Sequence, residues 1–72
     1  MRGADVMADR ILQLCGERDV SLRHVARFSG IPESSLYSVT SRRGELSAQN
    51  LRKLCLAMKV SSDWILGIGD ER

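Results

Sequence analysis

The sequence predicts an all-α fold, a compact bundle of five helices. Three observations lead there. Apolar residues recur at i, i+3, i+4 and i+7 in successive stretches, the spacing that lines one face of a helix. Each stretch is bracketed by residues that start or stop helices. Nothing alternates with period two over a useful length, so no sheet is expected.

The elements follow in order. Residues 1–4 read as frayed. Asp5 is placed to cap a first helix running to about Arg18, with Met7, Ile11, Leu14 and Cys15 as its buried stripe. Asp19 and Val20 link it to the second. Ser21 is a good N-cap, because its hydroxyl can accept from a first-turn N–H that has no other partner. Leu22, Val25 and Ala26 give that second helix an apolar face. Gly30 stands where the helix should end in the left-handed conformation. Ile31 can plug the core from the turn. Pro32 suits the first position of a third helix, since its φ is preset and its missing N–H would have no partner there. Leu36 and Val39 form the buried side of this helix. A polar loop, about Ser41 to Leu46, carries Arg42, Arg43 and Gly44. Ser47 caps a fourth helix, Ala48 to about Lys59, with Leu51, Leu54, Cys55 and Met58 facing inward. Ser61 caps a short fifth helix, with Asp63 in the first turn where the helix dipole favours it. Trp64, Ile65 and Leu66 supply its apolar side, and Gly67 ends it.

A chain of 72 residues makes one domain, with a core expected over about 5–67. The apolar fraction of 43% and charged fraction of 28% are those of a globular domain, not of a disordered tail. The net charge of +2 is unevenly spread. Residues 21–53 hold six basic and two acidic side chains, and the rest of the chain five basic and seven acidic. The middle is therefore electropositive. Two readings stand: a face that meets phosphate, or solvated surface charge.

Cys15 and Cys55 fall on apolar helix faces, where a free thiol behaves as a small hydrophobe, and both are expected reduced and buried. There is no CxxC, and the single histidine, His24, is expected at the surface, so no zinc site or other metal is expected. No apolar run approaches the ~18 residues of a membrane span, and the N-terminus has no signal-peptide core. A soluble, reducing, cytoplasmic setting is expected. No nucleophile–base pair, paired carboxylates or metal cluster is recognisable, and the chain leaves little room for a substrate pocket. An enzyme, a cofactor and a small-molecule ligand are all unexpected.

The stretch Ser21 to Thr40, SLRHVARFSGIPESSLYSVT, has the form of two short helices joined by a tight turn. The side of the third helix opposite Leu36 and Val39 carries Ser34, Tyr37, Ser38 and Ser41, with Glu33 on the flank. A short helix held by its back, with small polar groups facing out, has the shape and chemistry to enter a DNA major groove.

SLRHVARFSGIPESSLYSV, followed by LSAQNLRKLCLAMKVSSDWILG, resembles the phage-repressor helix-turn-helix family, the Cro/CI or Xre-like DNA-binding domains. The second stretch is similar to that family's fourth and fifth helices, including its V-S-x-D-W-[IL]-L run. The resemblance covers Val6 to Gly67. It implies a lambda-repressor-like bundle. It implies sequence-specific binding of double-stranded DNA by a small bacterial or phage regulator, usually a repressor, as a homodimer on a palindromic operator.

The resemblance also implies roles by position. Glu33, Ser34 and Ser38 match residues that touch base edges. Glu33 could accept from cytosine N4, or act only as a dipole partner in the helix's first turn. Ser35 or Tyr37 could reach a phosphate, though Tyr37 can equally cover the edge of the core. Ser41, Arg42, Arg43, Gly44 and Ser47 match the loop that grips the sugar–phosphate backbone, with Arg42 and Arg43 foremost. Arg23, in the first turn of the second helix, is a further phosphate candidate. Arg52 and Lys53 read as a solvated face.

Three positions depart from the family. A glutamine that braces the recognition helix is replaced by Leu22. The positions of an ion pair between the first and third helices are held by Cys15 and Thr40. The loop glycine comes at Gly44, about two residues late, which predicts a recognition helix over about 32–41, running on to Ser41 or Arg42. A second function class stands beside DNA binding. It is a protein-binding module on the same fold, an antitoxin or adapter, using the last helix. There Trp64, Ile65 and Ile68 would form the partner surface, or a homodimer seam.

Overall fold

The computed structural model describes residues 3–72, with side chains from Val6 onward. Five helices follow one another: α1 (Gly3–Arg18), α2 (Leu22–Ser29), α3 (Glu33–Thr40), α4 (Ala48–Met58) and α5 (Ser62–Leu66). No strand occurs among the described residues. Of the stretch expected to fray, residues 1 and 2 lie outside the described residues. The backbone is helical from Gly3, so α1 starts two residues ahead of the cap expected at Asp5.

Serine starts three of the helices. The hydroxyls of Ser21, Ser47 and Ser61 accept from the N–H groups of His24, Asn50 and Trp64, each at 3.1 Å. Such a cap stabilises a helix by about 1 kcal/mol. Pro32 sits just outside α3 instead of within it. Its ψ of 134° is not helical, and its carbonyl accepts from Ser35 N at 3.0 Å. The helix therefore begins at Glu33.

All five helices stop in the same way. A residue with positive φ follows each: Asp19 (54°), Gly30 (76°), Arg42 (61°), Lys59 (57°) and Gly67 (79°). The next residue then donates its N–H back over the last turn. These bonds run from Val20 to Cys15 O, Ile31 to Ala26 O, Arg43 to Ser38 O, Val60 to Cys55 O and Ile68 to Asp63 O, at 2.9–3.1 Å. This closure satisfies carbonyls that would otherwise lack partners. It also corrects the expected end of the recognition helix. α3 stops at Thr40, because Arg42 itself takes the left-handed position.

The motif usually carries an apolar residue after the left-handed one. Here Ile31 and Val60 are buried and Val20 is half-buried. Each turn therefore also plugs the core. α1 packs on α2, α3 and α5, α2 also on α3 and α4, and α4 on α5. Met7, Ile11, Leu14, Leu36, Leu54 and Trp64 are the centre of the cluster, and Leu46 joins it from the loop before α4. Gly67 is required where it stands. Besides its positive φ, a Cβ there would lie 2.4 Å from Val6 Cγ1 on α1.

Two expectations fail in the core. Trp64 and Ile65 were expected at a dimer or partner surface, yet they are 1% and 0% exposed. The one apolar side of a five-residue helix is used up against its neighbours, which leaves Ile68, 74% exposed, as the surface residue of the three. Cys15 and Cys55 are free but half-buried, not fully enclosed. Partial burial raises the pKa of both thiols.

The last residues fold back over α5. Ser61 N donates to Arg72 O and Ser61 Oγ to Glu71 O, both at 2.7 Å. The Arg72 guanidinium lies 4.4 Å from the centre of the Trp64 ring, and Arg10 of α1 lies 4.7 Å from it. Arg72 also forms a two-pronged pair with Glu17 at the end of α1, one prong at 2.8 Å. Hydrogen bonds from Arg72 and then Gln13 hold the Glu17 carboxyl down at about pKa 2, well below the usual range.

Two outcomes are expected. Lys59→Gly removes the left-handed strain at the end of α4 and should raise stability by about 1 kcal/mol. Thermal unfolding should then shift upward by roughly 4–8 °C; an unchanged or lower midpoint would show that Lys59 is not strained. Because the Glu17 pKa is depressed in the fold, its contribution is present above the ordinary carboxylate pKa and fades as pH falls toward 2. Arg72→Ala should therefore lower the melting temperature more at pH 6 than near pH 2, where chiefly the contact with the Trp64 ring is left to lose. A constant offset across that range would contradict the assignment.

Candidate nucleic-acid interface

α3 is eight residues long and attached by one side. Leu36 and Val39 fix its back to α1 and α2, while Glu33, Ser34, Tyr37 and Ser38 are exposed and Ser35 is half-buried. Tyr37 is 49% exposed. Thr40 Oγ1 donates to Leu36 O at 2.9 Å, which turns this hydroxyl back onto the helix and away from the outer face.

Beside α3 an open groove of about 420 Å³ is lined by Ser34, Ser35, Ser38, Glu45, Leu46, Ser47 and Asn50. It brings together four of the residues singled out from sequence, Ser34, Ser35, Ser38 and Ser47. Glu33, Tyr37, Ser41, Arg42, Arg43, Gly44 and Arg23 lie outside its lining. Its far wall is the first turn of α4, whose leading N–H groups carry the positive end of the helix dipole. Asn50 is a polar contributor that sequence reasoning passed over. Its position three residues after the Ser47 cap was the available signal. Glu45 places one carboxylate in the same groove.

The two loop arginines differ. Arg42 pairs with Asp9 of α1 at 2.5 Å, and its guanidinium also reaches Thr40 O at 3.5 Å. This pair joins the first helix to the end of the third. Arg43 holds the position after the left-handed residue. In three of the other four turns that position sends an apolar side chain into the core or against it, and here Arg43 is exposed. Arg23 is exposed in the first turn of α2. Lys53, expected on a solvated face, is half-buried and donates to Gly30 O at 3.4 Å. Leu22, in place of the bracing glutamine, packs against the core. His24 is at the surface as expected, with its ring stacked 6.2 Å from Phe28.

No group of three or more His, Cys, Asp and Glu side chains is placed to hold a metal among the described residues. No helix there is long and apolar enough to cross a membrane.

Known proteins were compared with this geometry. No family model matches the sequence, and no curated protein matches it either. The crystal structure of the hypothetical transcription factor NHTF from Neisseria superposes on this chain with a TM-score of 0.81. The superposition covers 90% of this chain and 75% of that one, at 20% sequence identity. The two chains share a fold. The all-helical bundle is thus an architecture that the Neisseria chain also has.

Proposed function

We propose that this chain is a small DNA-binding transcription regulator of the phage-repressor, Xre-like kind, most simply a repressor. The observation that carries the reading is the outer face of α3. A short helix held by its back presents Glu33, Ser34 and Ser38 to solvent, with exposed Arg43 at one end. α3 enters the major groove of double-stranded DNA, and these three side chains meet base edges. Ser35, Tyr37 and Ser41 flank them toward the backbone. The first turn of α4, with Ser47 and Asn50, sits over a phosphate, as do Arg43, Gly44 and Arg23. Arg42 contributes once it exchanges Asp9 for phosphate. The fold matched at low identity belongs to a protein described as a transcription factor, which supports the same reading.

The operator is palindromic and the chain acts on it as a homodimer, in the cytoplasm of a bacterium, on host or phage DNA. It performs no catalysis.

A titration against a pool of random duplexes, with sequencing of the retained fraction, tests the reading; retention of none even at low salt would overturn it. Arg43→Ala should weaken binding to every sequence and flatten the slope of log affinity against log salt by about one unit. An unchanged slope removes Arg43 from the phosphate contacts. Glu33→Gln should instead leave the slope alone and change the preferred base at one operator position, at a cost of about 1–3 kcal/mol on the original base. Unaltered base preference would leave Glu33 as a dipole partner only.

A further inference from the structure

α3 and α4 face the same groove, yet their backbones do not come together. Ser34, Ser35 and Ser38 line it from α3, and Ser47 and Asn50 from the start of α4. The relative placement of the two helices is therefore set indirectly. Both pack on α2, and the loop between them is pinned by buried Leu46. One further link runs from α4 straight to the turn that leads into α3.

That link is Lys53, three residues beyond Asn50. Its Nζ donates to the carbonyl oxygen of Gly30 at 3.4 Å. No backbone N–H among the described residues donates to that oxygen. The turn itself leaves the carbonyl open. Gly30 is left-handed, with φ 76°, and Pro32 beyond it has no N–H to offer. A polar backbone group without a partner is costly where water is limited, and the end of a helix also carries the negative pole of its dipole. An ammonium answers both needs. Lys53 is accordingly half-buried, whereas Arg52 beside it is exposed.

We propose that Lys53 is a positioning residue for DNA recognition. It ties α4 to the turn before α3, and so sets how the base-facing side of α3 and the phosphate-facing first turn of α4 are spaced and angled. This role rests on the DNA-binding reading, in which those two surfaces meet one duplex. Phosphate contacts fix a protein's register on DNA, and base contacts carry the sequence preference. If α3 and α4 drift apart, each surface can still be used, but not both in register. The loss then falls on the preferred sequence and spares general attachment to DNA. The ammonium is committed to Gly30 and adds no phosphate contact of its own.

Lys53→Met, which keeps an unbranched stem and removes the donor, tests the proposal beside Lys53→Arg, which keeps one. On the duplex that the unaltered chain enriches from a random pool, Lys53→Met should bind about five- to tenfold more weakly. Its affinity for random duplex and its slope of log affinity against log salt should not change, and Lys53→Arg should bind the enriched duplex as the unaltered chain does. A slope flattened by about one unit would make Lys53 a phosphate contact and overturn the proposal. So would binding of the enriched duplex that ignores Lys53→Met. Residual dipolar couplings of the free chains give a second measurement, without DNA. The orientation of α3 relative to α4 should shift or average in Lys53→Met and match the unaltered chain in Lys53→Arg. Unchanged couplings in Lys53→Met overturn the proposal whatever the DNA result. Retention of no duplex by the unaltered chain overturns the DNA-binding reading and the role in recognition with it, even where the couplings shift. Normal selection of a duplex by Lys53→Met overturns this inference alone.

Discussion

The fold depends on stopping helices abruptly. Five helices share 72 residues, and three of the four connections between them are three residues long. A helix that ran on for one more turn would carry its neighbour out of reach of the core. The left-handed residue after every helix prevents this. It reverses the chain, closes the last carbonyls and, at Val20, Ile31 and Val60, turns the next side chain toward the hydrophobic cluster. Three of these five residues are not glycine. Each such position costs of order 1 kcal/mol in backbone strain, which the packing of the whole bundle must exceed. Core and turns therefore stabilise each other, and neither is stable in isolation.

This explains which features could be read from the residues alone. The serine caps, the glycine stops at Gly30 and Gly67 and most of the buried stripes of α1 to α4, the half-buried Cys15, Leu22, Leu51 and Cys55 aside, follow local rules. The stops at Asp19, Arg42 and Lys59 break the local preference. Only tertiary packing selects them, so the expected end of α3 was too late. Trp64 and Ile65 were misplaced for a related reason. An apolar pair on a terminal helix reads the same whether it meets its own core or a partner, and the docking of α5 on α1 decides between them. Leu46 and Val60, in connections, gave no periodic signal. Asn50 and Glu45 became visible as groove residues only when the α3–α4 loop brought them beside three serines of α3.

The same turn geometry shapes the candidate interface. At the end of α3 the stop is retained, but the side chain that follows it is Arg43, not an apolar plug. The structural device that elsewhere drives a residue inward here presents a cation at the end of the exposed helix. The face beside it is made of short hydroxyls. These let the helix backbone approach a base-pair edge closely, yet each carries one donor and little reach. Amide and guanidinium side chains, which read a base through two bonds at once, are absent from the outer face of α3. On the proposed reading, such a face would discriminate through fit and a few contacts, with Glu33 as the one strongly polar reader. Glu45 adds a negative charge nearby, which on the same reading would work against generic attachment to phosphate.

The clasp over Trp64 has a consequence for observing the molecule. The chain has a single tryptophan, enclosed between the guanidinium groups of Arg10 and Arg72, one from α1 and one from the tail. Its indole therefore sits where the N-terminal helix, the last helix and the final residue meet. Displacing Arg72 changes the ring's surroundings, and global unfolding exposes the ring to water. One intrinsic fluorophore, with no label attached, thus responds both to loss of the Arg72 contact and to unfolding of the bundle. The molecule carries its own optical gauge of whether α1, α5 and Arg72 stay joined.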